Sequence, residues 1–167
     1  MEELIALLDR NKVRLLVDIR SAPGSRRMPH FAKAALEVSL PAAGIAYLHL
    51  PELGGLRKPR RDSPNTGWRN DGFRGYADYM QTPDFWSALE RLVEIAARRR
   101  TAIMCAEAVP WRCHRSLVSD ALTVRGVDVR HITGTGEPSG HRITPFAEVE
   151  GGRVTYPPPY TLPLGEE

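Results

Sequence analysis

The pattern of apolar and polar positions alternates between helical segments and short apolar runs. Residues 2–10 carry apolar side chains at helical spacing, which predicts an amphipathic helix. The run 13–19 is short, apolar and partly β-branched, which is typical of a strand buried on both faces of a parallel sheet. The runs 45–50 and 101–105 repeat this pattern and predict a second and a third strand.

Helix signals separate and follow these runs. Residues 31–40 have helical periodicity, and the segment 82–98 begins with a capping threonine, a proline and an aspartate. Residues 113–125 predict another helix, which Gly126 should end as its C-cap. The apolar positions in 127–132 then predict a fourth strand.

This order of elements predicts an α/β fold. We expect a single-domain, open three-layer sandwich, Rossmann-like, with a mostly parallel sheet and helices on both faces, over residues 1–132. The stretch 51–75 lacks periodicity and reads as a basic loop inserted in this domain. Residues 133–167 are rich in Gly, Pro and Thr and predict an extension with a hairpin at 149–156.

Composition narrows the class of protein. The chain has 167 residues, of which 42% are hydrophobic and 26% charged, as in one folded soluble domain. Its acidic, helix-periodic start is unlike a signal peptide, and no apolar run has the length of a membrane span. We therefore expect a cytoplasmic location. Cytosolic cysteines are normally reduced, so two cysteines predict no disulfide framework.

The basic residues are unusual in kind. Of 23 basic side chains only Lys12, Lys33 and Lys58 are lysines, and the formal net charge is +3. A GC-rich genome accounts for many of the arginines, but some are placed to bind phosphate or carboxylate in bidentate fashion. The basic excess between residues 57 and 75 is larger than the net charge of the whole chain.

Polar side chains collect where the first and third predicted strands end. In parallel sheets, ligands bind at this edge. The loop after the first strand supplies Asp18, Arg20, Ser21, Ser25 and Arg26, and the loop after the third supplies Cys105, Glu107, Cys113, His114 and Arg115. A helix start in the second loop adds free N–H groups, which favour an anion.

Three chemistries fit the second loop. We favour a site for an anion or nucleotide, in which Arg20, Arg26 and Arg115 supply charge. Glu107 or His114 would then transfer protons, and the cysteines would be packed as small apolar groups.

The two other chemistries use the cysteines. Cys105 resembles the nucleophile of cysteine phosphatases and sulfurtransferases, although Arg112 lies one residue farther along the chain than the phosphatase pattern requires. Alternatively, Cys105, Cys113 and His114, with Glu107 as a further ligand, would bind a metal, although their spacing differs from that of structural zinc sites.

A fourth hypothesis concerns nucleic acid. The basic loop carries Trp68 and Phe73, so it could follow a phosphate backbone and stack bases. The mild net charge of the whole chain argues against this hypothesis.

Four segments, taken in order, carry a family resemblance. They read LLVDIRSAPGSRRMPHF, GIAYLHLPELGGLR, FRGYADYM and MCAEAVPWRCHR. Over residues 2–132 the chain resembles the bacterial and archaeal family called "domain of unknown function 488". The resemblance implies an α/β fold and no established reaction. Family members usually open with a strand reading like TIGHS, so the resemblance also implies either a late start codon or a sheet without that strand.

The resemblance adds loop positions to the candidate site. Arg57, Arg74 and Tyr76 lie inside its motifs and join the residues at the strand ends. The candidate catalytic residues are Glu107, His114, Cys105 and Asp18, and the candidate substrate-binding residues are Arg20, Ser21, Ser25, Arg26, Arg57, Arg74, Tyr76, Cys113 and Arg115. We expect a phosphate-bearing, nucleotide-like anion as ligand, with nucleic acid as the alternative partner and no membrane. The sequence does not identify a cofactor.

Overall fold

The computed structural model of the chain describes residues 1–24 and 26–160. Helices and short strands alternate through its first three quarters, as the sequence predicts. The helices are α1 (Glu2–Arg10), α2 (Lys33–Ala42), α3 (Asp71–Tyr79), α4 (Pro83–Arg98) and α5 (Arg115–Val124). The strands are β1 (Leu15–Asp18), β2 (Ala46–His49), β3 (Thr101–Met104), β4 (Arg130–His131), β5 (Ser139–Gly140), β6 (Glu148–Glu150) and β7 (Arg153–Thr155).

The three predicted apolar runs form one parallel sheet. β1 lies at its centre, with β2 on one side and β3 on the other. Asp18, the last residue of β1, is in register with His49 of β2 and Met104 of β3. The carboxyl ends of all three strands therefore meet at one edge of the sheet, and the α/β prediction is confirmed.

Helices cover this sheet through two apolar clusters. Leu15 and Val17 of β1 pack into a cluster with α3, α4 and α5. Leu16, which lies between them, packs with Leu8 of α1 and Leu36 of α2. Because successive side chains of a strand point to opposite faces, the two clusters lie on opposite faces of the sheet.

The predicted fourth strand of the parallel sheet is wrong. Only Arg130–His131 is a strand, and it pairs antiparallel with β5 in a separate two-stranded sheet. Val127 and Val129 pack on the core, whereas Asp128 and Arg130 are exposed and form an ion pair of 3.0 Å. This alternation of packed and exposed side chains is typical of a strand with one solvent-exposed face, not of a strand buried on both faces. With three strands in the described parallel sheet, the Rossmann-like sandwich is not confirmed.

The stretch without periodicity is held by side-chain contacts. Pro51–Leu53 is a 3-10 turn, and α3 already begins at Asp71. The buried Asp78 carboxylate accepts hydrogen bonds from the Arg60 N–H at 2.8 Å and the Asn65 amide at 2.8 Å. These contacts fix a segment for which local sequence offers no helix or strand signal.

The C-terminal segment contains the predicted hairpin. β6 and β7 form the expected hairpin, with positive φ at Gly151 and Gly152. Positions 161–167, the last part of the predicted extension, lie outside the described residues. Within the described ranges, no helix combines the length and apolar character needed to cross a bilayer.

Candidate active site at the carboxyl edge of the sheet

A pocket of about 380 Å³ lies where β1 and β3 end. Six of the predicted site residues line it together, namely Arg20, Ser21, Cys105, Glu107, Cys113 and His114. Its volume is within the range of small-molecule sites. The sequence prediction that the two strand-end loops share one crevice therefore agrees with the structure.

The two cysteines are joined across this pocket. The Sγ atoms of Cys105 and Cys113 are paired as a disulfide, although we expected separate packed thiols. The Sγ of Cys105 accepts the N–H of Glu107 at 3.4 Å, and the Sγ of Cys113 accepts the N–H of Arg115 at 3.3 Å. Each sulfur thus has a backbone donor that would stabilise a thiolate.

His114 directly precedes α5 and packs inside the pocket wall. Its Nδ1 lies 3.7 Å from the Sγ of Cys113, and its ring lies 4.8 Å from that of Tyr76. Burial lowers the pKa of His114 to about 4, and the nearby carbonyls of Ile19 and Leu53 offset this only in part. The imidazole is therefore neutral near pH 7, and its unprotonated nitrogen can accept a hydrogen bond.

Glycine makes room for this histidine. A Cβ on Gly55 would lie 2.9 Å from Nδ1 of His114, closer than side chains tolerate. Among the described residues, Nε2 of His114 is buried and has no partner at hydrogen-bonding geometry. An unsatisfied buried polar atom at a pocket is a feature that calls for a ligand or a proton-transfer role.

Asp18 and Arg20 form a buried ion pair. Arg20 donates to the buried Asp18 carboxylate from Nε at 2.8 Å and from a terminal nitrogen at 2.6 Å. The Tyr47 hydroxyl donates to the same carboxylate at 2.7 Å. Burial acts to raise the pKa of Asp18, but the hydrogen bonds from Arg20 and Tyr47 outweigh it, and the pKa lies below its usual value. Arg20 borders the pocket, but its charge is already neutralised.

Tyr76 and Ser21 support the site through backbone contacts. Tyr76 is fully buried and donates from its hydroxyl to the Leu53 carbonyl at 2.7 Å. Ser21 donates to the Gly55 carbonyl at 2.9 Å. Tyr76 therefore positions the 51–55 segment and His114 from within the core.

The other predicted anion-binding arginines do not line the pocket. Arg57 lies over the Tyr79 ring at 3.7 Å, and Arg74 pairs with Asp71. Arg26 is exposed away from the pocket, and Ser25 lies outside the described residues. Arg115 lines a different cavity on the far side of its loop. The predicted cluster of arginines around one anion is thus distributed over several places.

Arg112 is the cation that our candidate list left out. It is exposed and lines the pocket, and its side chain has no hydrogen-bond or ion-pair partner among the described residues. Its position in the segment CAEAVPWRCHR was visible, but only the loop geometry shows which of two neighbouring arginines faces the pocket.

The aromatic side chains of the basic loop are used internally. Trp68 stacks on Phe73 at 4.8 Å and meets Phe146 edge-on at 4.8 Å. Rings packed in this way are not free to stack on bases. The nucleic-acid hypothesis therefore loses the feature that distinguished it from an ordinary basic surface.

No metal centre is formed by the predicted ligands. Across residues 1–24 and 26–160, no group of three or more His, Cys, Asp or Glu side chains is arranged to hold a metal ion. The metal alternative built on Cys105, Cys113 and His114 thus has no geometric support.

Comparison with protein families gives one result. A family model described as "Domain of unknown function DUF488" matches residues 1–122. The chain belongs to this family. The DUF488 match contains the whole pocket and ends within α5, so β4 to β7 lie beyond it. Searches of curated proteins and of solved structures found no match.

Proposed function

We propose that this DUF488 protein carries out thiol–disulfide exchange, with Cys105 and Cys113 as the redox pair. The supporting observation is that the two sulfurs meet at a ligand-sized pocket. Each sulfur also accepts a backbone N–H, as a reactive thiolate requires.

Cys113 is the better nucleophile of the two. It lies two residues before the start of α5, and the positive end of a helix dipole lowers the pKa of a thiol placed there. The neutral His114 imidazole next to it can accept a hydrogen bond from the thiol, with Nδ1 at 3.7 Å from Sγ. Cys105 follows β3 and is placed to resolve the intermediate.

The exchange starts from the reduced pair and a small disulfide RSSR. The Cys113 thiolate attacks one sulfur of RSSR, the S–S bond of RSSR breaks, and RS⁻ leaves and is protonated. The Cys105 thiolate then attacks the Cys113 sulfur of this mixed disulfide. A second RSH leaves and the protein disulfide forms, so two electrons pass from the protein to RSSR.

Glutathione disulfide is a suitable probe for this exchange. The reduced protein should lose both thiols, measured with Ellman's reagent, and release two equivalents of glutathione. The Cys105→Ser variant should stop at a stable mixed disulfide on Cys113, detected by intact mass. The Cys113→Ser variant should react more slowly, by about tenfold or more, because Cys105 lacks the helix terminus and His114.

Two results would overturn the proposal. One is a parent protein that keeps both thiols in excess glutathione disulfide. The other is equal reactivity of the two single-cysteine variants, at the rate of an unperturbed thiol. Arg61→Gln is a suitable control, since this exposed arginine lies outside both cavities.

Binding of a phosphate-bearing anion, the function we favoured from sequence, remains a second proposal. Its support is now Arg112, an unpaired cation at the pocket beside the start of α5. Adenosine monophosphate should raise the melting temperature of the parent and of Arg61→Gln, but not of Arg112→Gln. No shift in the parent would reject this proposal and leave the thiol proposal untouched.

A further inference from the structure

A second cavity, of about 840 Å³, lies along the edge of β3 that faces away from β1. Helices α1, α4 and α5 and residues 127–133 complete its wall. The wall is mostly apolar, and its charged residues are Arg100, Arg115, Asp128 and Arg130. Since Asp128 is paired with Arg130, the charge left over in the wall is positive.

A buried carboxylate stands behind this wall. Asp120 of α5 has no exposed surface and accepts hydrogen bonds from the Tyr156 hydroxyl at 2.8 Å and the Thr144 hydroxyl at 2.7 Å. It also accepts the Thr144 N–H at 3.0 Å and faces Nε2 of His141 at 2.7 Å. A carboxylate can only accept hydrogen bonds, and all of these neighbouring groups can donate one.

The carboxylate fixes how protons are placed on two histidines. Nε2 of His141 must carry the proton that Asp120 accepts, so Nδ1 of a neutral His141 is an acceptor. That Nδ1 lies 2.8 Å from Nε2 of His131, which must then be the donor. Nδ1 of the neutral His131 is thereby left with a free lone pair, and His131 lines the cavity.

His131 and Arg115 both line the cavity. Burial is the largest cause of the lowered pKa of His131, followed by the charge of His141 and then by the positive charge of Arg115. An anion placed against both side chains would offset that repulsion and would favour the protonated histidine. The apolar wall would meanwhile suit a non-polar body attached to the anion.

We propose that this cavity binds a small amphiphilic anion, with the acidic head group at Arg115 and His131 and the apolar body along β3. Binding draws one proton from solvent onto the histidine pair. The proton adds to Nδ1 of His131, whose imidazolium is then linked to the Asp120 carboxylate through the hydrogen bonds of His141. The charge created by binding is thus stabilised by a buried counter-ion.

Octanoate and octyl phosphate test this proposal, with 1-octanol as a neutral probe of matched chain length. Calorimetric titration near neutral pH, in buffers of different ionisation enthalpy, measures affinity and proton uptake together. We expect an anionic probe to bind with proton uptake. Octanol should bind at least about tenfold more weakly, because it cannot form the hydrogen bond to a charged group that contributes about that factor in affinity. Binding of octanoate alone, octyl phosphate alone or both identifies the head group as carboxylate, phosphate or either.

Variants assign the residues. Arg115→Gln should weaken anion binding by about tenfold or more, whereas Arg115→Lys should keep most of it because the charge remains. His131→Gln should abolish proton uptake while binding persists. The proposal is overturned if neither anion binds, if octanol binds as well as the anions, if the parent takes up no proton, or if Arg115→Gln binds normally.

This site is independent of the proposed thiol chemistry. Cys105→Ser removes the redox pair, and Cys105 itself does not line the cavity, so anion binding and proton uptake should be unchanged. His131 and His141 lie beyond the DUF488 match, whereas Arg115 and Asp120 lie within it. The cavity therefore depends on the family domain and the extension together.

Discussion

Replacement of Arg20 by glutamine tests whether this arginine is structural. Asp18 is wholly buried and the Arg20 side chain is only 10% exposed. The variant would leave the carboxylate with the Tyr47 hydroxyl and its local N–H, and the Phe31 carbonyl would lose a donor at 2.9 Å. Breaking a buried ion pair costs about 3–5 kcal/mol.

We expect the lower end of that range for Arg20→Gln. Arg20 borders the pocket, so water can reach the site and partly solvate the Asp18 carboxylate that has lost its partner. A loss of about 3 kcal/mol is still a large part of the roughly 5–15 kcal/mol that stabilises a typical domain. Urea unfolding followed by tryptophan fluorescence measures it. Arg14→Gln, which breaks an exposed pair with Asp9, is the control and should cost less than about 1 kcal/mol.

The effect of pH gives an independent check. In the parent, the pKa of Asp18 is lowered, so its contribution to stability is present above about pH 4 and is lost as the pH falls through the folded value. Without the Arg20 charge, burial raises the pKa of the Asp18 carboxyl. As the pH falls, this carboxyl becomes protonated in the variant, and the cost of a buried unpaired charge disappears. The stability gap between parent and variant should therefore narrow in acid. A gap below about 1 kcal/mol at neutral pH, or a gap unchanged in acid, would refute this reasoning.

Two further substitutions probe the ordered loop. Gly75→Ala should lower the free energy of unfolding by about 1–3 kcal/mol or more, because its Cβ would collide with the Arg57 carbonyl. The control is Gly134→Ala, whose Cβ would lie in open space, and it should leave the free energy of unfolding in the same urea assay nearly unchanged. Asn65→Ala should cost about 2–3 kcal/mol, because a buried carboxylate and the Tyr156 N–H each lose their amide partner; a cost below about 0.5 kcal/mol would show that this contact does not hold the loop.

Much of the fold could be predicted because the signals that define it are local. The helix predicted to start at Thr82 does so, with the Thr82 hydroxyl accepting the N–H of Phe85 at 3.4 Å. Gly126 has the expected positive φ of 80° just after α5. The strand in 127–132 was misassigned because an apolar run shows that a strand forms, not which sheet it joins. Only the packing of Val127 and Val129 decides that.

The candidate site divides in the same way. The loop after β3 could be assigned to the pocket because carboxyl ends of parallel strands share an edge. In the structure Arg20 is paired with Asp18, whereas the Arg112 side chain lines the pocket unpaired. The sequence could not distinguish the two, since both are arginines in polar loops. Asp120 and His141 share no motif and meet only because the extension folds back on α5.

The sequence by itself determined the parallel strands, the helices α1, α2, α4 and α5 and the location of the cysteine pocket, because these depend on periodicity, capping and strand order. Tertiary structure alone decided the protonation and pairing of the polar groups. Asp18 with Arg20, Cys105 with Cys113, and Asp120 with His141 are each defined by which chain segments converge. A buried charge or thiol takes its chemistry from the partners that replace water around it, and those partners are supplied by the whole fold.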